Sequence, residues 1–290
     1  MLDVFKCKNF KHCSCPDGIE ELSVWGCSSV TDVSFPKGGQ EKLRSVRILK
    51  CRKLLEMEWG GQKMTNNNSS MPMLESVWIS DWPNLKSVIE LNCLVHLTEF
   101  RIEDCEGLES IPDNLTSIKK LEIINCPKLD VSFLLDNLTS LKELQIVNCP
   151  SMDASIPGWV WPPNLHSLTI GKLKKPFSEW GPQNFPTSLV KLVLYGGEDG
   201  VSSCSEFSHL LPLSLTSLTI REFKTPESFS MELQHLTSLQ RLCFSNCPNL
   251  KKVAHPQQLT SLQHLYFTGC HNMLELPEML LPSLLRLNIW

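Results

Sequence analysis

The chain has 290 residues, of which 42% are hydrophobic and 20% charged, and its net charge is −4. This balance is typical of a folded protein and excludes a disordered chain, and without a basic block it argues against nucleic acid or an anionic membrane as a partner. The first fifteen residues lack the continuous apolar segment of a secretory signal peptide, and the longest uncharged stretch, residues 154–171, is interrupted by three prolines. We therefore expect a cytoplasmic protein without a membrane span.

One apolar frame recurs along the whole chain: Leu-x-x-Leu-x-Leu-x-x-Cys-x-x-Leu, with Ile, Val, Phe or Met allowed at the apolar positions. Most steps between repeats are 21 to 26 residues long, which is the period of a leucine-rich repeat. A partial repeat covers residues 1–18 and another covers 284–290. Eleven full repeats begin near residues 19, 43, 74, 97, 118, 141, 165, 189, 215, 239 and 262.

The alternation within the frame predicts a short strand in every repeat. Leu121 and Ile123 flank Glu122, so one face of the strand is apolar and the other polar. A single coil cannot bury its apolar face alone, so successive coils must stack. The predicted fold is an α/β solenoid: one leucine-rich-repeat arc over residues 1–290, with a parallel concave β-sheet and an irregular convex side of loops and short helical turns. Helical turns are expected at 134–141 and 232–239, and a loop insertion at about 60–73.

Cysteine occupies the frame position at which the chain leaves the strand. A small side chain can pack inward there and donate weakly through its S–H group to backbone groups that the turn frees. Proline follows directly in three repeats and fixes the turn. We expect all thirteen cysteines to be reduced. Those at the corner position are Cys7, Cys27, Cys51, Cys105, Cys126, Cys149, Cys247 and Cys270.

Three segments carry a resemblance to a known family: LEIINCPKL (121–129), LTSLKELQIVNCPSM (138–152) and LTSLQRLCFSNCPNL (236–250). With these phrases the chain resembles the leucine-rich-repeat region of plant nucleotide-binding leucine-rich-repeat disease-resistance proteins of the coiled-coil type. The resemblance implies the recognition domain of an intracellular immune receptor. Its partners would be a pathogen effector or a host protein, and it would dock against the receptor's nucleotide-binding module to keep that module inactive.

The family's ATPase module is not part of this sequence, since no Gly-x-x-x-x-Gly-Lys-Ser/Thr phosphate loop occurs in it. The chain also opens and closes within a repeat, which suggests a fragment or a truncated product. An alternative interpretation is the substrate-recruiting repeat domain of an F-box-type ubiquitin-ligase adaptor, because those repeats also favour cysteine at the corner. The reading frame upstream of Met1 would separate the two.

Catalytic and metal chemistry find no support in the sequence. The one metal-like group is His12 with Cys7, Cys13 and Cys15, but its spacing fits no common zinc pattern and Cys7 already occupies a corner. We expect neither an enzyme nor a cofactor.

What remains is the polar face of the strands, where aromatic and arginine side chains recur. Such residues on a rigid sheet are the usual anchors of protein interfaces. Acidic residues prevail in the first half of this face, and lysines follow from Lys172 onward. The residues predicted to contact a protein partner are Trp25, Arg47, Trp78, Arg101, Glu103, Glu122, Gln145, Tyr195, Arg221 and Tyr266.

Overall fold

A computed structural model describes most of the chain, in two compact units: residues 1–141 with 148–152, and residues 142–147 with 153–290. Residues 59–70, which hold most of the predicted loop insertion, lie outside the described part. The described residues are 1–35, 40–58, 71–88, 96–113, 115–131, 134–154, 160–180, 185–196, 208, 211–224, 227–230, 233, 235–254, 259–274 and 283–290.

The first unit is a parallel β solenoid. The strands β1, β3, β5, β7, β8 and β9 pair in that order, each parallel to the next, and β2, β4 and β6 form a smaller parallel sheet. The strands are β1 (Leu2–Phe5), β2 (His12–Ser14), β3 (Glu21–Trp25), β4 (Asp32–Ser34), β5 (Ser45–Leu49), β6 (Glu56–Glu58), β7 (Ser76–Ser80), β8 (Glu99–Glu103) and β9 (Lys120–Ile124).

The second unit repeats this architecture. The strands β11, β12, β13, β15, β17 and β18 pair in parallel in that order, and β14 pairs with β16. The strands are β10 (Glu143–Cys149), whose last two residues belong to the first unit, β11 (Ser167–Leu173), β12 (Lys191–Tyr195), β13 (Ser217–Arg221), β14 (Ser228–Ser230), β15 (Arg241–Ser245), β16 (Lys252–Ala254), β17 (His264–Thr268) and β18 (Arg286–Ile289).

The apolar frame forms the core of both units, as the sequence predicts. Leu121 is 1% exposed and Ile123 fully buried, while Glu122 between them lies on the other side of the sheet. Frame residues of neighbouring coils stand opposite each other, for example Leu192 beside Leu218. Every predicted repeat start from Leu43 to Leu262 is buried, and Ile19 is half-buried. The strand positions and the parallel stacking are therefore confirmed.

The corner cysteines also behave as predicted, with one exception. Cys27, for example, directs its Sγ towards the carbonyl oxygens of Val4 and Trp25, both at 3.6 Å. The amide of Val30 then closes a turn on the carbonyl of Cys27. Cys7 is the exception, because it is exposed. The corner thiol thus serves two roles, filling space in the core and supplying a weak donor to carbonyls at the strand end.

A left-handed residue stands immediately before each of these corners, which the sequence analysis did not foresee. Gly26 and Gly269 adopt this conformation at two corners. It turns the backbone so that the amide of Asp81, for example, donates to the carbonyl of Glu103 in the next coil at 2.9 Å. Asparagine and aspartate tolerate it better than other non-glycine residues. The non-glycine residues with positive φ are Lys6, Lys50, Asp81, Asp104, Asn125, Asn148, Lys172, Glu222 and Asn246.

Lys50 offers a test of this strain, because it is exposed and has a φ of 56°. Replacing Lys50 with glycine removes a left-handed penalty of about 1–2 kcal/mol and adds about 0.5–1 kcal/mol of unfolded-state entropy. We expect Lys50→Gly to raise the free energy of unfolding in urea by about 0.5–1 kcal/mol. Lys53, exposed in the same turn without a positive φ, is the control, and Lys53→Gly should lower stability. If both variants changed the free energy of unfolding in the same direction, the left-handed conformation assigned to Lys50 would be contradicted.

The predicted helical turns are not supported as a general feature of the convex side. Within the described residues no α-helix occurs, and the 3-10 turns Leu135–Asn137, inside the expected segment 134–141, and Phe177–Glu179 are defined. The described residues of 232–239 contain no helix. An extended segment covers the convex side of a coil with fewer residues than a helix needs, because a helix rises only about 1.5 Å per residue and a strand about 3.3 Å. The two smaller parallel sheets use this extended path, and the sequence analysis missed them.

Candidate protein-binding face

Within each unit, the predicted binding residues lie on the side of the main-sheet strands opposite the buried apolar frame. We name this side the open face: the side chains that alternate with the buried apolar frame. Arg47 is exposed, whereas the other nine are half-buried. The half-burial has a physical reason, because aromatic and charged side chains on neighbouring strands lie against one another rather than projecting singly into solvent. The set remains a prediction as a binding surface.

The first unit brings four of the ten residues together around Arg101. Its guanidinium carbon lies 4.4 Å from the centre of the Trp78 ring. Its two terminal nitrogens contact Glu103 and Glu122, each at 2.9 Å. Because Arg101 is held by a ring and two carboxylates, its side chain is fixed before any partner arrives.

Glu122 lies on the polar face of its strand, but replacing it is expected to lower stability more than replacing an ordinary surface residue. Its side chain is only 13% exposed, and it accepts from Lys120 at 3.1 Å as well as from Arg101. Alanine at this position would leave two cations without their carboxylate. We expect Glu122→Ala to lower the free energy of unfolding by about 1–3 kcal/mol in chemical denaturation, the range for hydrogen bonds to charged groups. A change within about 0.5 kcal/mol would mean that the pairs contribute nothing.

Trp25 lies in a separate aromatic contact on the first strands. Its ring centre is 4.3 Å from that of Phe5, and the ammonium of Lys6 lies 4.9 Å from both rings. Arg47 lies on β5, between the strands that carry Trp25 and Trp78. Its neighbours across the sheet are Ser23 on β3 and Trp78 on β7. The open face of the first unit is therefore aromatic and carries both charge signs.

The second unit builds its own cluster around Tyr195. The Arg221 guanidinium lies 5.3 Å and the Lys172 ammonium 6.0 Å from its ring centre. Lys172 also pairs with Glu222 at 2.5 Å, across the intervening coil. Tyr195 comes this close to its neighbour because Gly171 stands opposite it: a Cβ on Gly171 would lie 2.7 Å from the Tyr195 Cβ and still closer to its carbonyl oxygen.

Besides Trp25 and Arg47, two further predicted residues, Tyr266 and Gln145, lie outside both clusters. Tyr266 stacks on His264 at 6.1 Å, and Gln145 lies on β10 with no partner contact defined among the described residues. Sequence reasoning missed Phe5, Lys6, Lys120 and Glu222, and it named Lys172 only as part of the basic stretch. Lys6, Lys172 and Glu222 occupy the left-handed position before a corner. This position has a constant offset in the repeat frame, and that offset is the signal by which these residues could be found.

Polar side chains at this same position also connect three consecutive corners. Asn125 donates to Asp104 at 2.7 Å, and Asn148 donates to Asn125 at 2.9 Å. This explains the asparagine that precedes cysteine in the repeated phrase, because its amide can both donate and accept along the stack. The ladder is exposed and stabilises the corner geometry.

Burial makes several of the corner cysteines poor nucleophiles, whereas a hydrogen bond with Cys247 lowers the pKa of Cys270. The eleven described cysteines are free thiols, while Cys93 and Cys204 lie outside the described residues. Burial raises the pKa of Cys13, Cys15, Cys51, Cys105 and Cys149 to about 11. The thiol therefore stays protonated at neutral pH, the state in which it can donate to a carbonyl.

This protonation predicts a selective labelling pattern at pH 8. Because the pKa of Cys105 is about 11 instead of 9.0, the fraction of this thiol in the reactive thiolate form is about a hundredth of that of an ordinary cysteine. Its sulfur is also buried. We expect brief treatment with iodoacetamide, followed by peptide mass mapping, to modify exposed Cys7 and leave Cys105 and Cys126 unmodified. Denaturation should make all three react. Equal modification in the native protein would contradict the buried corner.

The metal-like group of the sequence is dispersed in the structure. His12 Nδ1 contacts Asp32 at 2.5 Å, Cys13 and Cys15 are buried, and Cys7 is exposed. Within the described part of the chain, no three His, Cys, Asp or Glu side chains are grouped so that they could hold a metal ion. In the same part, no helix is long and apolar enough to cross a membrane.

The stacked parallel coils and their repeated frame define a leucine-rich repeat domain, a class of scaffold that generally binds proteins rather than catalysing reactions. Residues 197–279 match the family model described as a BspA type leucine-rich repeat region, in 6 copies. Among curated proteins, no relative matches the sequence.

Three solved structures are similar to this chain. The mouse RP105/MD-1 complex aligns at 12% identity over 84% of this chain and 49% of that chain, with a TM-score of 0.49. A leucine-rich repeat protein of Leptospira interrogans aligns at 17% identity over 82% and 78%, with a TM-score of 0.32. The plant peptide hormone receptor RGFR1 in complex with RGF2 aligns at 16% identity over 93% and 62%, also with a TM-score of 0.32. This chain spans about half the length of the mouse chain. With TM-scores below 0.5, these likenesses carry no further argument.

Proposed function

We propose that this chain is the protein-recognition domain of an intracellular plant immune receptor. It binds a pathogen effector or a host protein through the open face, and it docks against the receptor's nucleotide-binding module in the cytoplasm. The partner is a folded protein or a segment of one, since the face offers side chains for contact and no catalytic constellation.

The cluster of Trp78, Arg101, Glu103 and Glu122 is the observation that carries the proposal. Tryptophan and arginine are the residues most often found at binding hot spots. Here both stand on neighbouring strands of a paired sheet, and the carboxylates fix the arginine in place. A partner therefore meets side chains whose conformational entropy is already reduced, which favours affinity.

The state of the cysteines supports an intracellular location. A domain rich in free, buried thiols is characteristic of a reducing compartment, because disulfides form and persist mainly in oxidising ones. The corner thiols contribute to the fold only in the reduced form, as donors to carbonyls such as that of Val24.

The repeated Asn-Cys-Pro phrase supports the receptor family. In the structure its asparagine takes the left-handed conformation, its cysteine fills the corner and its proline opens the turn. The resemblance to the plant receptors rests on these same phrases. The reading frame upstream of Met1 separates the receptor from the ubiquitin-ligase adaptor: we expect a phosphate loop there, and an F-box would contradict the proposal.

The binding face is tested by replacing Trp78 with alanine and measuring which proteins co-purify with the chain from plant cells. Truncation of a hot-spot tryptophan costs about 2 kcal/mol, or roughly thirtyfold in affinity. A true partner should therefore be lost from Trp78→Ala. It should be retained by Leu55→Ala, which removes a 68% exposed apolar side chain outside the main-sheet strands. Partners that depend equally on both positions, or on neither, would contradict recognition by the open face.

A further inference from the structure

The open face of the second unit carries a row of cations at regular intervals. Lys191, Arg241 and Arg286 occupy the first outward position of β12, β15 and β18, and all three are exposed. The strand register places them in one line across the sheet, with Ser217 and His264 on the strands between. We name these three residues the cationic row.

The cationic row has no ion-pair partner among the described residues. This differs from the first unit, where Arg44, Arg101 and Lys120 of the corresponding region all contact carboxylates. None of the outward positions of β11, β12, β13, β15, β17 and β18 holds an acidic residue. Glu143 holds the first outward position of β10, two strands from Lys191, and Glu222, just after β13, is engaged by Lys172. The charge of the row is therefore available to a partner.

Small side chains form the floor beside Lys191 and Arg241, and Tyr266 continues it towards Arg286. Thr169, Val193, Thr219 and Cys243 stand opposite one another on successive strands and are half-buried. Tyr195 and Arg221 border the floor on its other side. The result is a shallow strip across the strands, with cations on one border and a tyrosine–arginine pair on the other.

We propose that this strip binds an extended acidic segment of a partner protein, with carboxylates at every third residue. Neighbouring strands lie about 4.8 Å apart, so successive cations, two strands apart, are separated by about 10 Å. A segment in the extended polyproline II conformation advances about 3.1 Å per residue with three residues per turn, so every third side chain faces the same way and three residues span about 9 Å. A segment running across the strands thus sets an acidic side chain against each cation. This inference rests on the proposed function and names the partner chemistry for this part of the open face.

A peptide fits the strip better than a single-stranded nucleic acid does. Nucleic-acid grooves combine cations with open aromatic rings on which bases stack. The Tyr195 ring has Lys172 and Arg221 beside it, and Tyr266 is stacked on His264. The strip therefore provides charge without free stacking platforms.

The test uses the full chain and dye-labelled synthetic peptides in fluorescence anisotropy at low salt. One peptide carries three aspartates at every third position among serines and threonines. A second has the same composition with the aspartates adjacent, and a third has lysines in place of aspartates. An oligouridylate of similar length is the nucleic-acid probe. We expect the spaced acidic peptide to bind most tightly, the adjacent isomer more weakly and the lysine peptide not at all.

Variants locate the binding on the row. Each exposed ion pair contributes about 0.2–1 kcal/mol, so Lys191→Gln should weaken binding by about 1.4-fold to fivefold. The triple variant Lys191→Gln, Arg241→Gln, Arg286→Gln should weaken it by about threefold to a hundredfold, by the same arithmetic. Lys252→Gln is the matched control, an exposed lysine of the same unit on β16, outside the main sheet. It should leave the affinity unchanged.

Three results would overturn the inference: equal affinity for the two acidic isomers, equal loss with Lys252→Gln, or tighter binding of the oligouridylate. None of them would affect partner capture through Trp78, which lies in the other unit. Conversely, if no protein were captured in a Trp78-dependent way, the proposed function would be contradicted. The peptide result would still stand as a property of the second unit.

Discussion

Replacing Leu121 with alanine is expected to lower the free energy of unfolding by about 2–5 kcal/mol, the usual cost of emptying a filled leucine position. Leu121 is 1% exposed and stands beside Phe100 of the preceding coil, itself 1% exposed. Stacked coils share one core, so a cavity at Leu121 removes contacts from neighbouring coils as well as from its own. Urea denaturation followed by circular dichroism measures the change.

Arg47 supplies the control for this prediction. It lies in the middle of β5, between the buried Val46 and Ile48, and is exposed on the open face. Arg47→Ala should change stability by no more than about 0.5 kcal/mol. If Arg47→Ala cost as much as Leu121→Ala, the assignment of the two faces of the strands would be wrong.

Replacing Gly171 with alanine is the second substitution with a large expected effect. The φ of Gly171 is 154°, and an added Cβ would overlap the backbone of Tyr195. Conformational strain and overpacking together should cost about 2–4 kcal/mol. Because the overlap lies under Tyr195, the variant should also move its phenol away from Arg221. Thermal denaturation measures the loss of stability. Quenching of tyrosine fluorescence by iodide measures the change in exposure of the Tyr195 phenol.

Gly18 separates strain from overlap. It also has a positive φ, 75°, but a Cβ added there would meet no atom within 4 Å. Gly18→Ala should therefore cost only about 1–2 kcal/mol and leave Tyr195 unchanged. Equal costs for the two glycines would show that the close approach of Tyr195 to Gly171 contributes nothing.

The repeat frame could be predicted because burial is periodic along the chain. Leu-x-Leu alternation fixes which side chains point inward, so Leu121, Ile123 and their counterparts were assigned correctly. The corner cysteines followed from their constant offset within the same frame. Both features depend on short-range spacing, which one sequence displays many times.

The remaining features depend on contacts between coils, which spacing does not reveal. The left-handed residue before the corner is lysine, glutamate, aspartate, asparagine or glycine, so it has no constant letter. The small sheets arise from pairing such as that of Val33 with Met57, in segments whose sequences do not repeat. Of the helical turn expected at 134–141, only the 3-10 turn Leu135–Asn137 forms, and Leu134, Leu135 and Leu138 are buried there.

The binding residues show the same division. Their position on the open face follows from alternation, but their mutual contacts do not. Glu122 was placed on the polar face as a residue that contacts a partner, and in the structure it is also held by Arg101 and Lys120. A sequence gives the position of each side chain along its own strand, whereas ion pairs depend on the register between strands.

Site-specific photo-cross-linking tests recognition by the open face most directly. A photoreactive phenylalanine analogue at Arg47 would stand on the open face, where the native side chain is exposed and makes no defined contact within the described residues. The same analogue at Leu55 would stand outside the main sheet, at a side chain that is 68% exposed. In plant cells, irradiation is predicted to yield a discrete cross-linked protein from the Arg47 position, lost when Trp78→Ala is added, and none from the Leu55 position. A cross-link to the same protein from Leu55, or one from Arg47 that persists with Trp78→Ala, would contradict recognition through this face.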